Sequence, residues 1–215
     1  MMVATKICGI TDTPAMRTAI AGGARFVGFV FYPPSPRAVE PEDAAQLAAL
    51  APGDVTRVGL FVDPGDALLE SALTAVTLDM IQLHGSETPE RCREIRTRWN
   101  LPVMKAIKVL TSGDIDAAGA YDGAVDWLMF DARAPKNVKD ALPGGNALAF
   151  DWTLLAGRKF PVPWMLAGGL NPDNLAEAVR LSGAEVVDVS SGVESAPGRK
   201  DPRLIEAFLA RAEDA

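Results

Sequence analysis

An amine and a thiol lie two residues apart near the start of the chain, at Lys6 and Cys8. Residues 3–8 are mostly apolar or β-branched, which predicts a strand, and side chains two apart on a strand share one face. The ammonium and the thiol are therefore expected to point the same way. A nearby ammonium favours the thiolate, the form of cysteine that acts as a base or a nucleophile. A small buried cysteine without a chemical role fits the same residues, so the choice depends on the rest of the chain.

Other polar residues follow apolar runs, where strands are expected to end. They are Arg37, His84, Asp131, the pair Gly168-Gly169 and the segment Ser190-Ser191-Gly192. The guanidinium of an arginine can bind a carboxylate through two parallel hydrogen bonds. A carboxyl group or an imidazole can donate or accept a proton during a reaction. Loops that contain glycine leave backbone N–H groups open to phosphate oxygens. His84, the only histidine, fits a satisfied core residue as well as a lining of the site.

Eight short apolar runs must position these groups, and most are separated by segments with helix signals. The runs are residues 3–8, 26–31, 57–62, 78–84, 103–109, 127–131, 164–168 and 186–191. Helix starts are predicted at Thr88-Pro89, Asn171-Pro172 and Asp201-Pro202, and helix ends at Gly22-Gly23, Gly53 and Gly183. This alternation predicts an α/β fold, a (β/α)8 TIM barrel that forms a single compact domain over residues 1–215.

An open, doubly wound parallel sheet is the structural alternative, which periodicity alone does not exclude. Polar residues inside the apolar runs favour the barrel, because its inner face can carry them near the mouth. They are Lys6, Gln82, His84, Lys105 and Asp188. Closure would place the first and last strands side by side, so we expect Lys6 to pair with Asp188 and offset the cost of burying both charges. In such a barrel the strands' carboxyl ends form the active site, and loops seven and eight often hold phosphate.

Composition limits the classes of function. Of 215 residues 48% are hydrophobic, and no run approaches the roughly 18 apolar residues of a membrane span, so we expect a protein of the cytoplasm without membrane contact. Cys8 and Cys92 occur in unlike contexts, which predicts neither a disulfide nor a zinc site. A net charge of −7 argues against nucleic acid but allows a small anion bound by local groups.

Two connections lack a clear helix pattern. The segment between Asp131 and Pro163 contains Pro135, Pro143 and the pair Gly144-Gly145, and an irregular loop of this kind in a barrel is more often functional than structural. The segment after Val109 is rich in Gly, Ala and Asp and is expected to be partly irregular.

Taken together and in order, the motifs resemble those of the phosphoribosylanthranilate isomerase family of tryptophan biosynthesis, over nearly the whole chain. They are Lys6-Ile7-Cys8-Gly9-Ile10-Thr11, Gly28-Phe29-Val30-Phe31-Tyr32 with Ser35-Pro36-Arg37, Val58-Gly59-Leu60-Phe61-Val62, Gln82-Leu83-His84-Gly85, Phe150-Asp151-Trp152, Leu166-Ala167-Gly168-Gly169-Leu170, and Asp188-Val189-Ser190-Ser191-Gly192-Val193-Glu194 with Pro197-Gly198 and Lys200-Asp201. The resemblance implies an Amadori rearrangement of an N-linked anthranilate phosphosugar, without a cofactor or a metal.

The resemblance also implies residue roles. Cys8 matches the family's base, Asp131 its acid and Arg37 its binder of the anthranilate carboxylate, while Gly168-Gly169 and Ser190 to Gly192 match its phosphate loops. An acid near neutral pH must keep its proton, which an apolar surrounding favours. His84 and Asp188 are expected to contact substrate without an assigned proton transfer. The implied partner is this small molecule, and the expected assembly is a monomer or a homodimer.

One departure and two alternatives stay open. Where the family usually has a glycine, this chain has Ala147, which costs roughly 1 kcal/mol if the position needs a positive φ and weakens the match to the family's phosphate contacts over residues 144–149. A histidine-pathway isomerase of the same fold is one alternative, although that relative has an aspartate at the position of Cys8. A phosphate-binding barrel without catalysis is the other.

Overall fold

Eight parallel strands close into a barrel, with β8 paired both to β7 and to β1. The computed structural model describes residues 3–133 and 149–215. The strands are β1 Ala4–Cys8, β2 Phe26–Val30, β3 Thr56–Phe61, β4 Met80–Leu83, β5 Val103–Val109, β6 Trp127–Ala132, β7 Trp164–Leu166 and β8 Val186–Val189. The predicted (β/α)8 barrel is confirmed, and the open-sheet alternative is wrong.

Helices follow most strands within the described ranges. They are α1 Thr13–Ala21, α2 Pro41–Ala48, α3 Asp66–Ala75, α4 Pro89–Trp99, α5 Ser112–Asp116, α6 Leu175–Ser182 and α7 Pro202–Glu213. The predicted starts of α4 and α7 are confirmed. Thr88 accepts a hydrogen bond from the N–H of Arg91 at 3.3 Å, and Asp201 accepts one from that of Arg203 at 2.9 Å. Each side chain thereby satisfies an N–H that the first helical turn leaves without a partner.

The predicted start of α6 at Pro172 is wrong, because the helix begins at Leu175. The side chain of Asn171 accepts hydrogen bonds from the N–H groups of Asp173 at 2.8 Å and Asn174 at 3.1 Å. Asparagine in this position stabilises a turn in competition with a helix. The first three residues predicted to be helical therefore form a turn.

Glycines end α6 and α1 as predicted, since Gly183 and Gly23 have φ values of 74° and 80° in the left-handed region. The prediction for Gly53 is wrong. Helix α2 already ends at Ala48, and Ala49 caps it in right-handed geometry. A glycine some residues beyond a helix marks a turn of the connection and not the helix end.

The connection after β5 is partly irregular, as predicted, because α5 passes directly into the 3-10 helix Ala117–Tyr121. Between β6 and β7 the described residues include the 3-10 helix Trp152–Leu155. The expectations for Gly144 to Ala147 fall outside the described residues.

Strand residues alternate between the barrel interior and the layer that faces the helices. The interior cluster is Phe26, Val58, Met80, Met104, Ala106, Met129, Met165 and Ala167. Lys105 lies between two of these residues and therefore points outwards, so the prediction that it lines the inner face is wrong. Its Nζ instead donates to Glu87 at 2.9 Å and to the carbonyl of Gly85 at 2.8 Å, beneath the helical layer.

A small antiparallel hairpin connects the barrel to the last helix. It consists of β9 Glu194–Ala196 and β10 Arg199–Lys200, and it follows the 3-10 helix Ser191–Val193 at the end of β8. The hairpin thus holds two charged side chains, Glu194 and Lys200, beside the mouth of the barrel. No helix of the described ranges has the length and apolar character to cross a bilayer.

Candidate active site

The thiol of Cys8 lies at the carboxyl end of β1, inside the barrel, and is 4% exposed. Gly28 on β2 is its register partner, and a Cβ at that glycine would lie 3.0 Å from Cys8 Sγ and 3.2 Å from Lys6 Nζ. Both distances are shorter than ordinary van der Waals contact. The glycine therefore leaves the space that the thiol and the ammonium occupy.

Lys6 and Asp188 form the predicted ion pair, with Nζ 2.7 Å from Oδ1 across the seam between β1 and β8. Burial lowers the pKa of Lys6, but its interactions with Asp188 and Cys8 raise it more, so the net direction is upward. Burial also raises the pKa of the Cys8 thiol, and Lys6 lowers it, as the sequence indicated. Burial and the charge of Asp188 together outweigh Lys6, so the pKa of Cys8 is raised and the resting group is a thiol, which Lys6 keeps easier to ionise than it would otherwise be.

Replacing Lys6 with Met is expected to lower the free energy of unfolding by roughly 3–5 kcal/mol, because Asp188 stays buried without its counter-charge. The raised native pKa of Lys6 determines how the stabilisation by this ion pair depends on pH. The pair stabilises fully below the unfolded lysine value of about 10.4, and its contribution is lost as the pH rises through the higher native value. Urea unfolding of both proteins between about pH 7 and pH 11 measures this difference.

The matched control for this prediction is the double variant Lys6→Met/Asp188→Leu, which removes both charges. It should recover most of the lost stability, since no uncompensated charge remains in the interior. If Lys6→Met is as stable as the wild type at neutral pH, the buried pair contributes nothing and the explanation is wrong.

Asp131 lies on the inner face of β6, where its carboxyl group meets the imidazole of His84. Nε2 of His84 is 2.9 Å from Oδ2 of Asp131, and the other oxygen accepts the N–H of Ala132 at 2.9 Å. Both side chains are about 5% exposed. The structure therefore places the imidazole of His84 within hydrogen-bond distance of the Asp131 carboxyl group. His84 thus lines the candidate site.

The two predicted phosphate loops pack directly against each other. A Cβ at Gly192 would overlap the carbonyl oxygen of Leu170, so only glycine fits between the loops after β8 and β7. Gly168 and Gly169 have φ values of 89° and 68°, and a Cβ at Gly168 would lie 2.5 Å from the N of Ala132. Left-handed backbone of this kind turns successive N–H groups towards one concave surface, which suits an anion.

Arg37 follows β2 and is held by a buried carboxylate. Its Nε and Nη2 atoms donate to the two oxygens of Glu194 at 2.7 and 2.8 Å. Lys200 donates to the same carboxylate at 2.7 Å and to the Ser190 carbonyl at 3.0 Å. Burial raises the pKa of Glu194, but hydrogen bonds from Arg37 and the charge of Lys200 lower it more. Glu194 thus joins Arg37 to the loop after β8.

These groups follow one another around the barrel, because the strands that carry them are neighbours. Arg37 follows β2, Cys8 ends β1, the two glycine loops follow β8 and β7, and Asp131 lies on β6. All lie at the carboxyl ends of the strands, which in this fold is the end where active sites form. A phosphate bound by the loops would therefore lie between the thiol and the carboxyl group, with a guanidinium beyond the thiol.

Comparison with known proteins shows the family of the chain. Residues 5–211 match the family described as N-(5'-phosphoribosyl)anthranilate (PRA) isomerase. The N-(5'-phosphoribosyl)anthranilate isomerase of Paramagnetospirillum magneticum is 60% identical over 212 residues, which cover 99% of this chain and 98% of the relative. The chain belongs to the phosphoribosylanthranilate isomerase family. Its activity is therefore the isomerisation of phosphoribosylanthranilate in tryptophan biosynthesis, and the two alternative functions are not favoured.

Solved structures of phosphoribosylanthranilate isomerases superpose on the whole chain. One, in complex with reduced 1-(o-carboxyphenylamino)-1-deoxyribulose 5-phosphate, has a TM-score of 0.83 and 36% identity, with 100% of both chains covered. Another, of monomers generated from the dimeric isomerase of Thermotoga maritima, has a TM-score of 0.83 and 35% identity, again with full coverage of both.

Several residues at this candidate site were given no role from the sequence. They are Gly28, Gln82, Lys108, Glu194 and Lys200. Gln82 was expected on the inner face of the barrel, but its contact with His84 was not predicted. No local pattern indicates the partner of Arg37, because it lies 157 residues away along the chain. Across the described ranges, no three His, Cys, Asp or Glu side chains cluster in a way that could hold a metal ion.

Proposed function

We propose that Cys8 is the base and Asp131 the acid of the Amadori rearrangement that this isomerase catalyses. Asp131 gives a proton to the ribose ring oxygen, so that the ring opens to a protonated Schiff base. The Schiff base withdraws electrons and acidifies the C–H bond at the second carbon, from which the thiolate of Cys8 removes the proton. The resulting enolamine takes a proton at the first carbon and gives up the proton of its hydroxyl group at the second, and so becomes the ketone.

The observation that carries this proposal is the position of the two glycine loops between β6 and β1. A phosphate held there fixes one end of the sugar, so the carboxyl group of Asp131 and the thiol of Cys8 approach it from opposite sides. Holding the reacting groups in a fixed geometry supplies much of the rate acceleration of an enzyme over the same reaction in solution. Gly168, Gly169 and Ser190 to Gly192 supply this phosphate site.

Arg37 is the proposed binder of the anthranilate carboxylate, with Glu194 holding its guanidinium in place. We assign His84 an indirect role, in which it acts on the substrate through its hydrogen bond with Asp131. Asp188 likewise acts on the substrate through Lys6, its ion-pair partner at 2.7 Å. The relative with bound reduced carboxyphenylamino-deoxyribulose phosphate supports a substrate that carries both a phosphate and an aromatic carboxylate.

We also propose a cytoplasmic monomer or homodimer as the working form. Both cysteines, Cys8 and Cys92, are free thiols, which is usual in a reducing compartment. The relative from Thermotoga maritima is a dimer of which monomers have been generated, so members of the family are compatible with either state.

The experiment pairs a changed residue with a changed substrate. In the wild type, a substrate with aniline in place of anthranilate should have a kcat/KM roughly 10–100-fold lower, because charge-assisted hydrogen bonds to the carboxylate are lost. In Arg37→Met the two substrates should react nearly alike, because the carboxylate has then lost its partner. Loss of anthranilate-type or aniline-type fluorescence measures both rates. A full preference for the carboxylate in Arg37→Met would show that another group binds it.

A further inference from the structure

Gln82 lies fully buried on the inner face of β4, two residues before His84, and its amide is only half satisfied. Its Nε2 is 2.9 Å from Nδ1 of His84 and 3.3 Å from Sδ of Met129. Its Oε1 has no hydrogen-bond partner among the described residues. Buried amide oxygens nearly always accept a hydrogen bond, so this oxygen is available for a second arrangement in which it has a donor.

The hydrogen bonds of the present arrangement define one protonation state. If Nε2 of Gln82 donates to Nδ1 of His84, that nitrogen carries no hydrogen, and the proton of the neutral ring is on its Nε2. That N–H then donates to Asp131, whose second oxygen accepts the N–H of Ala132. Both carboxyl oxygens accept, so Asp131 is the ionised form that remains after an acid has given up its proton.

The state that can act as an acid holds one more proton on the His84–Asp131 pair. The proton either sits on Asp131 and is donated to Nε2 of His84, or makes the ring an imidazolium. In both cases Nδ1 of His84 carries a hydrogen that needs an acceptor. A half-turn of the Gln82 amide supplies one, because Oε1 and Nε2 exchange places with almost no change of shape.

We propose that Gln82 is a positioning residue whose amide turns with the protonation of the His84–Asp131 pair, and so allows Asp131 to hold the proton that it donates. The amide donates to His84 when the pair has lost its proton and accepts from His84 when the pair has regained it. The role in turnover rests on the proposed function of Asp131, whereas the coupling between amide and imidazole does not.

Lys108 on β5 is the charged neighbour of this pair, and the charges of Lys105, Asp63 and Glu87 act on Lys108 in turn. The Lys6–Asp188 ion pair and Cys8 lie on the inner face of β1 and β8. Lys105 is neutralised by Glu87 at 2.9 Å, and Lys108 is the register neighbour of Asp131. Burial and the charge of Lys105 lower the pKa of Lys108. A pH profile of activity alone could therefore report Lys108, and the test must observe His84 itself.

The test uses the fact that His84 is the only histidine. With 15N in its ring, the free protein gives two ring signals that belong to one residue, and their shifts and couplings tell which nitrogen is protonated. In the wild type Nδ1 should be bare at high pH and take up a proton as the pH falls. In Gln82→Met, which keeps the length but neither donates nor accepts, Nδ1 should lose its partner in both states. At high pH its 15N shift should become that of a nitrogen that accepts no hydrogen bond, and at low pH its N–H should exchange with water faster than in the wild type.

Gln82→Glu is the matched variant, because the glutamate side chain has the same shape and both of its carboxylate oxygens accept hydrogen bonds. There Nδ1 should stay protonated over the whole range. The same Nδ1 shift and the same N–H exchange rate in the wild type and Gln82→Met, at either end of the pH range, would overturn the proposal. So would a wild-type Nδ1 that never changes, a result that needs no variant to fold. No substrate is present, so failure here differs from failure of Asp131 as the acid, which shows only in turnover.

Discussion

Replacing Cys8 with Ser is expected to lower kcat by roughly 10³-fold, the middle of the range over which a general base accelerates a reaction. Serine has nearly the same shape, but its hydroxyl group is far less acidic than a thiol and does not supply a base at neutral pH. Affinity for the reduced product analogue should stay within about threefold, because the phosphate loops and Arg37 are unchanged. Substrate generated in situ and followed by the loss of its fluorescence gives kcat, and calorimetry gives the affinity.

The pH dependence supplies a second check of the same base. Burial, opposed by Lys6, raises the pKa of Cys8, so the thiolate fraction and kcat/KM of the wild type should increase as the pH rises through neutrality towards that value. This increase should be absent in Cys8→Ser, which distinguishes it from an increase that Lys108 causes. Cys92→Ser is the matched control, because this buried thiol lies on α4 outside the barrel. Its kcat should equal that of the wild type. A Cys8→Ser enzyme with more than about a tenth of the wild-type kcat would exclude Cys8 as the base.

Asp131→Asn is expected to lower kcat by a similar factor, roughly 10²–10⁴-fold. The amide keeps the shape of the carboxyl group and can still bond to His84 and to the N–H of Ala132, but it has no proton to give to the ring oxygen. Analogue affinity should change little, as for Cys8→Ser. The same fluorescence assay gives kcat for the variant.

Asp79→Asn is the control for this carboxyl group. Asp79 precedes β4 and pairs with Arg57 at 2.7 Å, at the opposite end of the strands from the mouth. Its replacement should cost at most about 1 kcal/mol of stability and leave kcat unchanged. If Asp131→Asn turns over as fast as Asp79→Asn, the proton for ring opening comes from elsewhere.

Much of the fold could be predicted from the sequence because strand and helix signals are local. The run 103–109 coincides with β5, and the pairing of Lys6 with Asp188 followed from barrel closure alone. The errors have two different causes. Asn171 stabilises a turn where a helix was expected. Lys105 was expected to line the interior of the barrel. A charged residue within an apolar run can lie on either face of its strand, and the sequence of the run does not determine which face it occupies.

The site was predicted as a set of residue types, but not as a network. Glu194 contacts both Arg37 and Lys200, and only the folded hairpin after β8 brings the three together. The half-satisfied amide of Gln82 is likewise a property of packing, since it depends on Met129 of β6 filling the space beside it. The strength of burial at Cys8, which outweighs the charge of Lys6, also comes from tertiary structure.

The most direct test of the proposed site is a crystal structure of this chain with the reduced product analogue that is bound in its relative. We expect the phosphate on the loops of Gly168-Gly169 and Ser190 to Gly192, the carboxylate at Arg37, and Sγ of Cys8 within about 4 Å of the second sugar carbon, as a near-attack geometry requires. Asp131 should face the sugar from the other side. An analogue bound with Cys8 or Asp131 out of reach of the sugar would contradict the assignment of the base and the acid.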